Sequence, residues 1–275
     1  MEIGLILSAV GWTLPAAALA LLAVAVFGAR VTPLAAAAGI YLTYRLVYGW
    51  PAWPHELWAS PKATEWLLWS VIAAGVLASG ETLGLLRARS AMILAVPLAA
   101  SATWLVLQRV VARWPAAERW LTLAGVAAAI VAATWLLRRL WLVKAHPAAP
   151  ALLAAFALFV DATLLGLGHT ALLAQLAGTL SAVVAMAIVP LCWRAAFVFT
   201  AGQATWLAFA HVLFLVAGVR IADVTWSAAL LAGLAPGAGV AVQGLLAQRP
   251  RAWIAVALLL QLAMGAMALV AQAAA

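Results

Sequence analysis

The chain has 275 residues, of which 69% are hydrophobic and 8% charged, and its mean hydropathy is +1.15. A soluble domain is about 45–50% apolar and about 25% charged, so a water-facing globular fold is excluded and the expected solvent is lipid. The net charge of +8 comes from 15 Lys and Arg scattered singly or in pairs between apolar runs; with no basic face and no interleaved aromatics, nucleic acid is excluded as a partner.

A spanning helix needs about 20 mainly apolar residues, because each residue rises about 1.5 Å and the hydrocarbon core is about 30 Å thick. On that ruler the chain predicts an all-α polytopic transmembrane helix bundle of about ten spans with short loops, at 3–28, 33–50, 64–86, 90–110, 118–140, 149–167, 170–192, 196–218, 225–246 and 252–273. Helices are required because lipid offers backbone N–H and C=O groups no other partner. No hydrophilic linker appears, so residues 1–275 read as one transmembrane domain, with candidate halves 1–144 and 145–275.

The first run carries an acid, Glu2, where a secretory signal wants a basic segment, and its apolar stretch is of bilayer length; it reads as a retained helix. The longest loop, Trp50 to Glu65, holds three prolines and three tryptophans. It is expected to break helix continuity and to lie near the membrane surface, as a flat connector or a short interfacial lid. Between the sixth and seventh spans lies a polar elbow, Gly166-Leu167-Gly168-His169-Thr170. The first span carries Gly11 and Pro15, and the ninth is expected to be broken by Pro236, Gly237 and Gly239. There the proline frees a carbonyl one turn earlier, and discontinuous helices mark substrate sites in transporters; the small-xxx-small spacing of Gly233 and Gly237 reads instead as plain tight helix packing.

Charge gives an orientation. With Met1 on side A, the side-B loops carry Arg30, Arg87, Arg89, Arg138, Arg139, Lys144, Arg194, Arg249 and Arg251 and no acid. Side A carries Lys62, Arg109, Arg113, Arg119 and Arg220 against Glu2, Glu56, Glu65, Glu118 and Asp223. The positive-inside rule then makes side B cytoplasmic and puts both termini outside, on the periplasmic side of a bacterial inner membrane. Trp50, Trp53, Trp58, Trp66, Trp114 and Trp226 near side A, with Trp135, Trp141, Trp193 and Trp253 near side B, form the two aromatic belts such a slab needs.

Ionisable groups in hydrocarbon cost about 2.5–3.5 kcal/mol each, so they locate candidate function. Arg45, Asp161, Gln175 and His211 fall at similar depth in the side-A half and are expected to form one cluster, with Arg45 paired to Asp161. The bland alternatives are a snorkelling Arg45 and a structural His211. Glu81 lies nearer side B, followed by Arg87 and Arg89 and level with Gln203 and Gln243. It reads as the cytoplasmic end of a proton or substrate path, or as an interfacial Glu paired with Arg. Cys192, the single cysteine, reads as a small buried apolar residue.

Nucleophile elbows, zinc-protease helices and phosphate loops are missing from the sequence, so no catalytic residue, metal or cofactor is expected. The stretch Tyr48-Gly-Trp-Pro-Ala-Trp-Pro54, continuing through Glu65-Trp66 to Glu81, and the later Leu173-Ala-Gln-Leu-Ala-Gly178 resemble a group of uncharacterised multi-pass bacterial integral membrane proteins. That resemblance implies a multi-pass membrane location and carries over no activity and no site. The expected partner is the lipid bilayer. The leading functional expectation is a small transporter or permease-like protein moving a small solute or protons. Its alternatives are a non-catalytic subunit packed among other membrane subunits, and an intramembrane lipid-modifying enzyme, which would need polar groups opening laterally to the bilayer.

Overall fold

A computed structural model describes residues 3–59, 62–141, 149–193, 201–246 and 250–274. All regular structure among them is helical: α1 (Ile3–Phe27), α2 (Thr32–Tyr48), α3 (Pro54–Ala59), α4 (Ala63–Thr82), α5 (Ala88–Val111), α6 (Ala116–Trp141), α7 (Ala149–Leu167), α8 (Ala171–Trp193), α9 (Ala201–Ile221), α10 (Trp226–Leu246) and α11 (Pro250–Ala273). Glu2, Lys144, Arg194 and Arg249, and the side chains of Trp141, Cys192, Trp193, Gln243 and Arg251, lie outside the described residues.

Six helices are long and apolar enough to cross a membrane: Ala63–Thr82, Ala88–Val111, Ala116–Arg139, Ala171–Val189, Ala201–Ile221 and Ala252–Ala273. That length and composition are compatible with a membrane protein. The expected count of about ten is not reached among the described residues, because the apolar stretches Thr13–Phe27, Ala151–Leu167 and Trp226–Gly237 are shorter, and α2 has 17 residues including Arg45 and the hydroxyl side chains of Tyr41, Thr43, Tyr44 and Tyr48 near its centre and end.

Two boundary expectations are corrected. The span drawn to residue 86 stops at Thr82, because Gly84 takes φ +77 and closes the helix end. Its N–H donates to Glu81 O at 3.0 Å, and Leu86 N–H reaches back to Gly80 O at 2.9 Å, the pattern by which a left-handed residue satisfies terminal carbonyls. The expected break in the ninth span is absent: Pro236 sits inside an unbroken α10, as Pro15 does inside α1. With no water competing for the freed carbonyls, neighbouring helices can satisfy them and the helix carries on.

The loop 50–65 contains one short helix, α3, held down by aromatics: Trp53 stacks on Trp69 at 5.7 Å and Trp58 meets Trp66 edge-on at 5.4 Å.

The hub of the bundle is α9. It lies against α4, α5, α6, α7 and α10, while α8 packs on α1, α2 and α7, and α11 on α7 and α10. Its buried side chains run round the whole helix, from Gln203 and Thr205 through Trp206, Phe209 and His211 to Phe214. A helix apolar on every side belongs in the centre.

Close approach is set by small residues, as expected where lipid gives no hydrophobic drive between helices. A Cβ on Gly75 would stand 3.0 Å from Pro33 O and 3.1 Å from Ala37 Cβ, so α2 and α4 touch backbone to backbone there. The polar elbow is tighter still: a Cβ on Gly168 would fall 2.0 Å from Ala222 O, at the end of α9. Both turns meeting there use a left-handed non-glycine residue, His169 (φ 63) and Asp223 (φ 50). Each closes with a reach-back bond, Thr170 N–H to Leu165 O at 3.1 Å and Val224 N–H to Gly218 O at 3.1 Å.

Single hydrogen bonds clamp α7 on two sides. Ser181 on α8 donates to Ala155 O at 2.7 Å, and Gln261 on α11 donates to Leu153 O at 2.8 Å.

Candidate functional site

A buried acid–imidazole contact joins α7 to the hub. Asp161 has no solvent exposure and His211 is 5% exposed; Asp161 Oδ2 lies 2.7 Å from His211 Nδ1. The pair leaves one polar atom unused on each partner, Asp161 Oδ1 and His211 Nε2, both buried without a closed hydrogen bond. Beside the imidazole lie the backbone carbonyls of Ala232 and Gly233 on α10. Ala232 is the residue four before Pro236, so its carbonyl has lost its helical N–H donor. Three helices therefore meet at one point: an acid from α7, an imidazole from α9, and from α10 a carbonyl exposed by proline.

Such an arrangement has defined chemistry. Between Oδ2 and Nδ1 one proton serves both groups, and its position converts the pair from neutral acid and imidazole to carboxylate and imidazolium with no change in net charge. In either form Nε2 carries a hydrogen, and Oδ1 stays open as an acceptor.

Arg45 is not part of this site. Its guanidinium lies 4.1 Å over the Trp50 ring at the side-A end of α2, and α2 packs on α1, α4 and α8, whereas Asp161 faces α9. The long side chain reaches the interface and a ring face there. Gln175 is also separate: it accepts from Tyr48 Oη at 3.0 Å. The cluster expected from depth alone is thus split three ways, Asp161 with His211, Gln175 with Tyr48 and Arg45 on Trp50, because helices that share a depth need not share a face.

The Tyr48–Gln175 contact opens a second polar string between α2 and α8, continued by Thr179 Oγ1, which lies 2.8 Å from Gln175 O and 3.2 Å from Thr43 Oγ1. At its side-A end Tyr44 donates to Glu65 Oε1 at 3.0 Å. Glu65 is only 4% exposed, and also accepts from Ala52 N–H at 3.2 Å and Lys62 Nζ at 3.3 Å. These bonds tie the 50–62 loop to the bundle. The sequence showed Glu65 only as a side-A loop acid and gave Tyr44 and Tyr48 no place in a site, although two tyrosines one turn apart on one helix were a usable signal.

Glu81 forms a third cluster with Arg138 of α6, rather than with Arg87 or Arg89. Arg138 grips both carboxylate oxygens, Nη1 to Oε2 at 2.8 Å and Nη2 to Oε1 at 2.5 Å, and Nη1 also reaches Thr205 Oγ1 of α9 at 3.3 Å. The fork geometry suits a planar guanidinium. Arg87 follows the left-handed turn at Gly84 and begins α5, which takes it away from Glu81. Two of the three polar clusters thus hang on α9, at Thr205 and His211, six residues apart on one helix.

Basic side chains at the helix ends are capped by tryptophan. Arg139 lies 4.0 Å over Trp135, and Arg220 lies between Trp114 at 4.5 Å and Trp226 at 4.8 Å. No group of three or more His, Cys, Asp or Glu that could hold a metal ion occurs among the described residues.

Comparison with protein-family models, with curated proteins and with solved structures returned no match. Fold and site together define the class as all-helical, with apolar helices of membrane-spanning length arranged round one buried acid–imidazole pair.

Proposed function

We propose that the protein is a small proton-handling transporter or permease of a bacterial inner membrane, with about ten spans counting the shorter apolar helices, side B cytoplasmic and both termini outside. The observation that carries the reading is the Asp161–His211 pair at 2.7 Å, fully inside the bundle and leaving Oδ1 and Nε2 unused. A buried acid is expensive in hydrocarbon and is kept where an ion, proton or substrate passes. The Pro236-exposed carbonyl beside the imidazole supplies a further acceptor without a charge. Proton uptake at Oδ1 and release from the imidazole relays one charge through α7 and α9. The Glu81–Arg138 pair, which bonds to the hub through Thr205, stands on the route toward side B.

The test is proton flux into liposomes containing the purified protein and an enclosed pH dye, under an imposed gradient. Asp161→Asn keeps the shape and a hydrogen bond to Nδ1 but removes the titrating group, so flux is expected to fall to background while unfolding stays near wild type. Wild-type flux retained in that variant overturns the proposal, as does a wild-type protein that conducts nothing above empty liposomes.

A second reading is a non-catalytic subunit of a larger membrane assembly. It is favoured by α6 and α11, whose spans are only 17% and 22% buried inside this chain and so leave long apolar faces for neighbours. A stable lone monomer after gentle detergent extraction counts against it. A lipid-modifying site would need polar groups widely open to the bilayer, whereas Asp161 has no exposure and His211 only 5%.

A further inference from the structure

Outside these clusters a trough of about 600 Å³ lies between α5 and α6. Its floor is made of small residues, Ala100, Ala124 and Ala127, and its walls are Trp58, Trp104 and Trp120. Trp104 and Trp120 stack at 6.0 Å with planes 14° apart, which fixes one wall as a flat aromatic face. Trp58, 65% exposed on α3, stands over the side-A end.

The trough has a charged mouth. On α5, Arg109 follows the lining residue Leu105 by one turn; on α6, Arg119 precedes the lining residue Leu123 by one turn. Residues one helical turn apart share a face, so both arginines flank the same end, and Arg113 lies in the turn that joins the helices. The only acid in that segment is Glu118, which leaves the mouth with an excess of positive charge. Arg119 lies 5.7 Å over Trp120, and its Nε is buried without a hydrogen-bond partner. One end thus wants hydrocarbon, and the other wants an anion.

We infer that this trough is a binding site for one anionic phospholipid, its acyl chain lying along the alanine floor against Trp104 and Trp120 and its phosphate held by Arg109 and Arg119. An aromatic wall at headgroup level suits a chain that passes from the polar to the apolar zone. Arginine matches phosphate oxygens in pairs, and two basic groups near a headgroup favour an anionic lipid over a zwitterionic one by roughly tenfold or more. A second copy of the chain is a poorer occupant, since its apolar surface would leave the arginines and the orphaned Nε without acceptors.

The inference is independent of any proton pathway. Its test is native mass spectrometry of protein released from nanodiscs that hold equal parts of palmitoyl-oleoyl phosphatidylglycerol and phosphatidylcholine. Wild type is expected to keep one phosphatidylglycerol per chain at least tenfold more often than phosphatidylcholine. Arg109→Gln with Arg119→Gln should bring that ratio close to one. Ala124→Phe, at an exposed floor position that leaves the core untouched, should remove the retained lipid while the unfolding transition stays in place. Equal retention of the two lipids by wild type overturns the site. So does undiminished phosphatidylglycerol on Ala124→Phe, and so does a wild-type dimer that the same substitution turns into monomer.

Discussion

The coupling across the Asp161–His211 contact can be predicted in magnitude. Replacing His211 with leucine fills much of the same volume but strands a carboxylate that has no exposure and no other hydrogen bond. Removing one partner of a buried charged pair costs about 3–5 kcal/mol. Asp161→Leu instead leaves an imidazole without its 2.7 Å partner, and an unsatisfied buried polar group costs about 1–3 kcal/mol. If both partners become leucine, nothing is stranded on either helix, and the double variant should lie within about 1 kcal/mol of wild type, since apolar replacement of a buried pair is often neutral. The singles sum to about 4–8 kcal/mol, so the coupling energy is at least about 3 kcal/mol. Equilibrium unfolding in mixed micelles, with sodium dodecyl sulfate as denaturant, measures all four corners of the cycle. A double variant whose loss equals the sum of the singles to within about 0.5 kcal/mol would refute the reasoning, because it would mean the two side chains do not sense each other.

Three contrasting pairs of substitutions test the remaining contacts. Arg138→Leu, which strands Glu81, should cost about 3–5 kcal/mol, while Arg138→Lys keeps the charge, loses the two-point grip and should cost about 1–2 kcal/mol; a Lys variant as damaging as Leu would show that reach, rather than charge, holds α6 to α4. Gly168→Ala should yield no monodisperse protein on size exclusion, since its Cβ would lie 2.0 Å from Ala222 O. Gly166→Ala, whose Cβ meets Ala174 Cβ at an ordinary 3.8 Å, should be neutral or stabilising by about 0.5–1 kcal/mol, as read by the same unfolding assay. Tyr44→Phe removes the phenol hydrogen bond to buried Glu65 and should cost about 1–3 kcal/mol. Lys62→Gln, on a side chain 58% exposed, should change stability by less than about 1 kcal/mol.

Helix positions were legible because lipid makes the rule strict. Ala149–Leu167 and Ala171–Trp193 are long, mainly apolar stretches separated by a turn, and at that turn the first helix stops and the second starts within a residue of where composition places them. Local backbone chemistry moved the remaining edges. Gly84 in the left-handed region ended α4 early, and Pro236 failed to end α10 because a helix packed among helices tolerates an unpaired carbonyl.

The sequence by itself determined that the chain is helical and strongly apolar, and that Arg45, Glu81 and Asp161 are costly enough to need partners. Those statements depend on composition and on distance along the chain. Which partner each residue meets was decided by tertiary structure alone. Asp161 met His211 rather than Arg45, Gln175 met Tyr48, and Glu81 met Arg138 across 57 positions of chain. Depth in the bilayer can be counted from a helix end, but the direction a side chain faces depends on which helix packs beside it, and in a bundle of uniformly apolar helices only small contacts such as Gly75 on Pro33 or Gly168 on Ala222 select that neighbour.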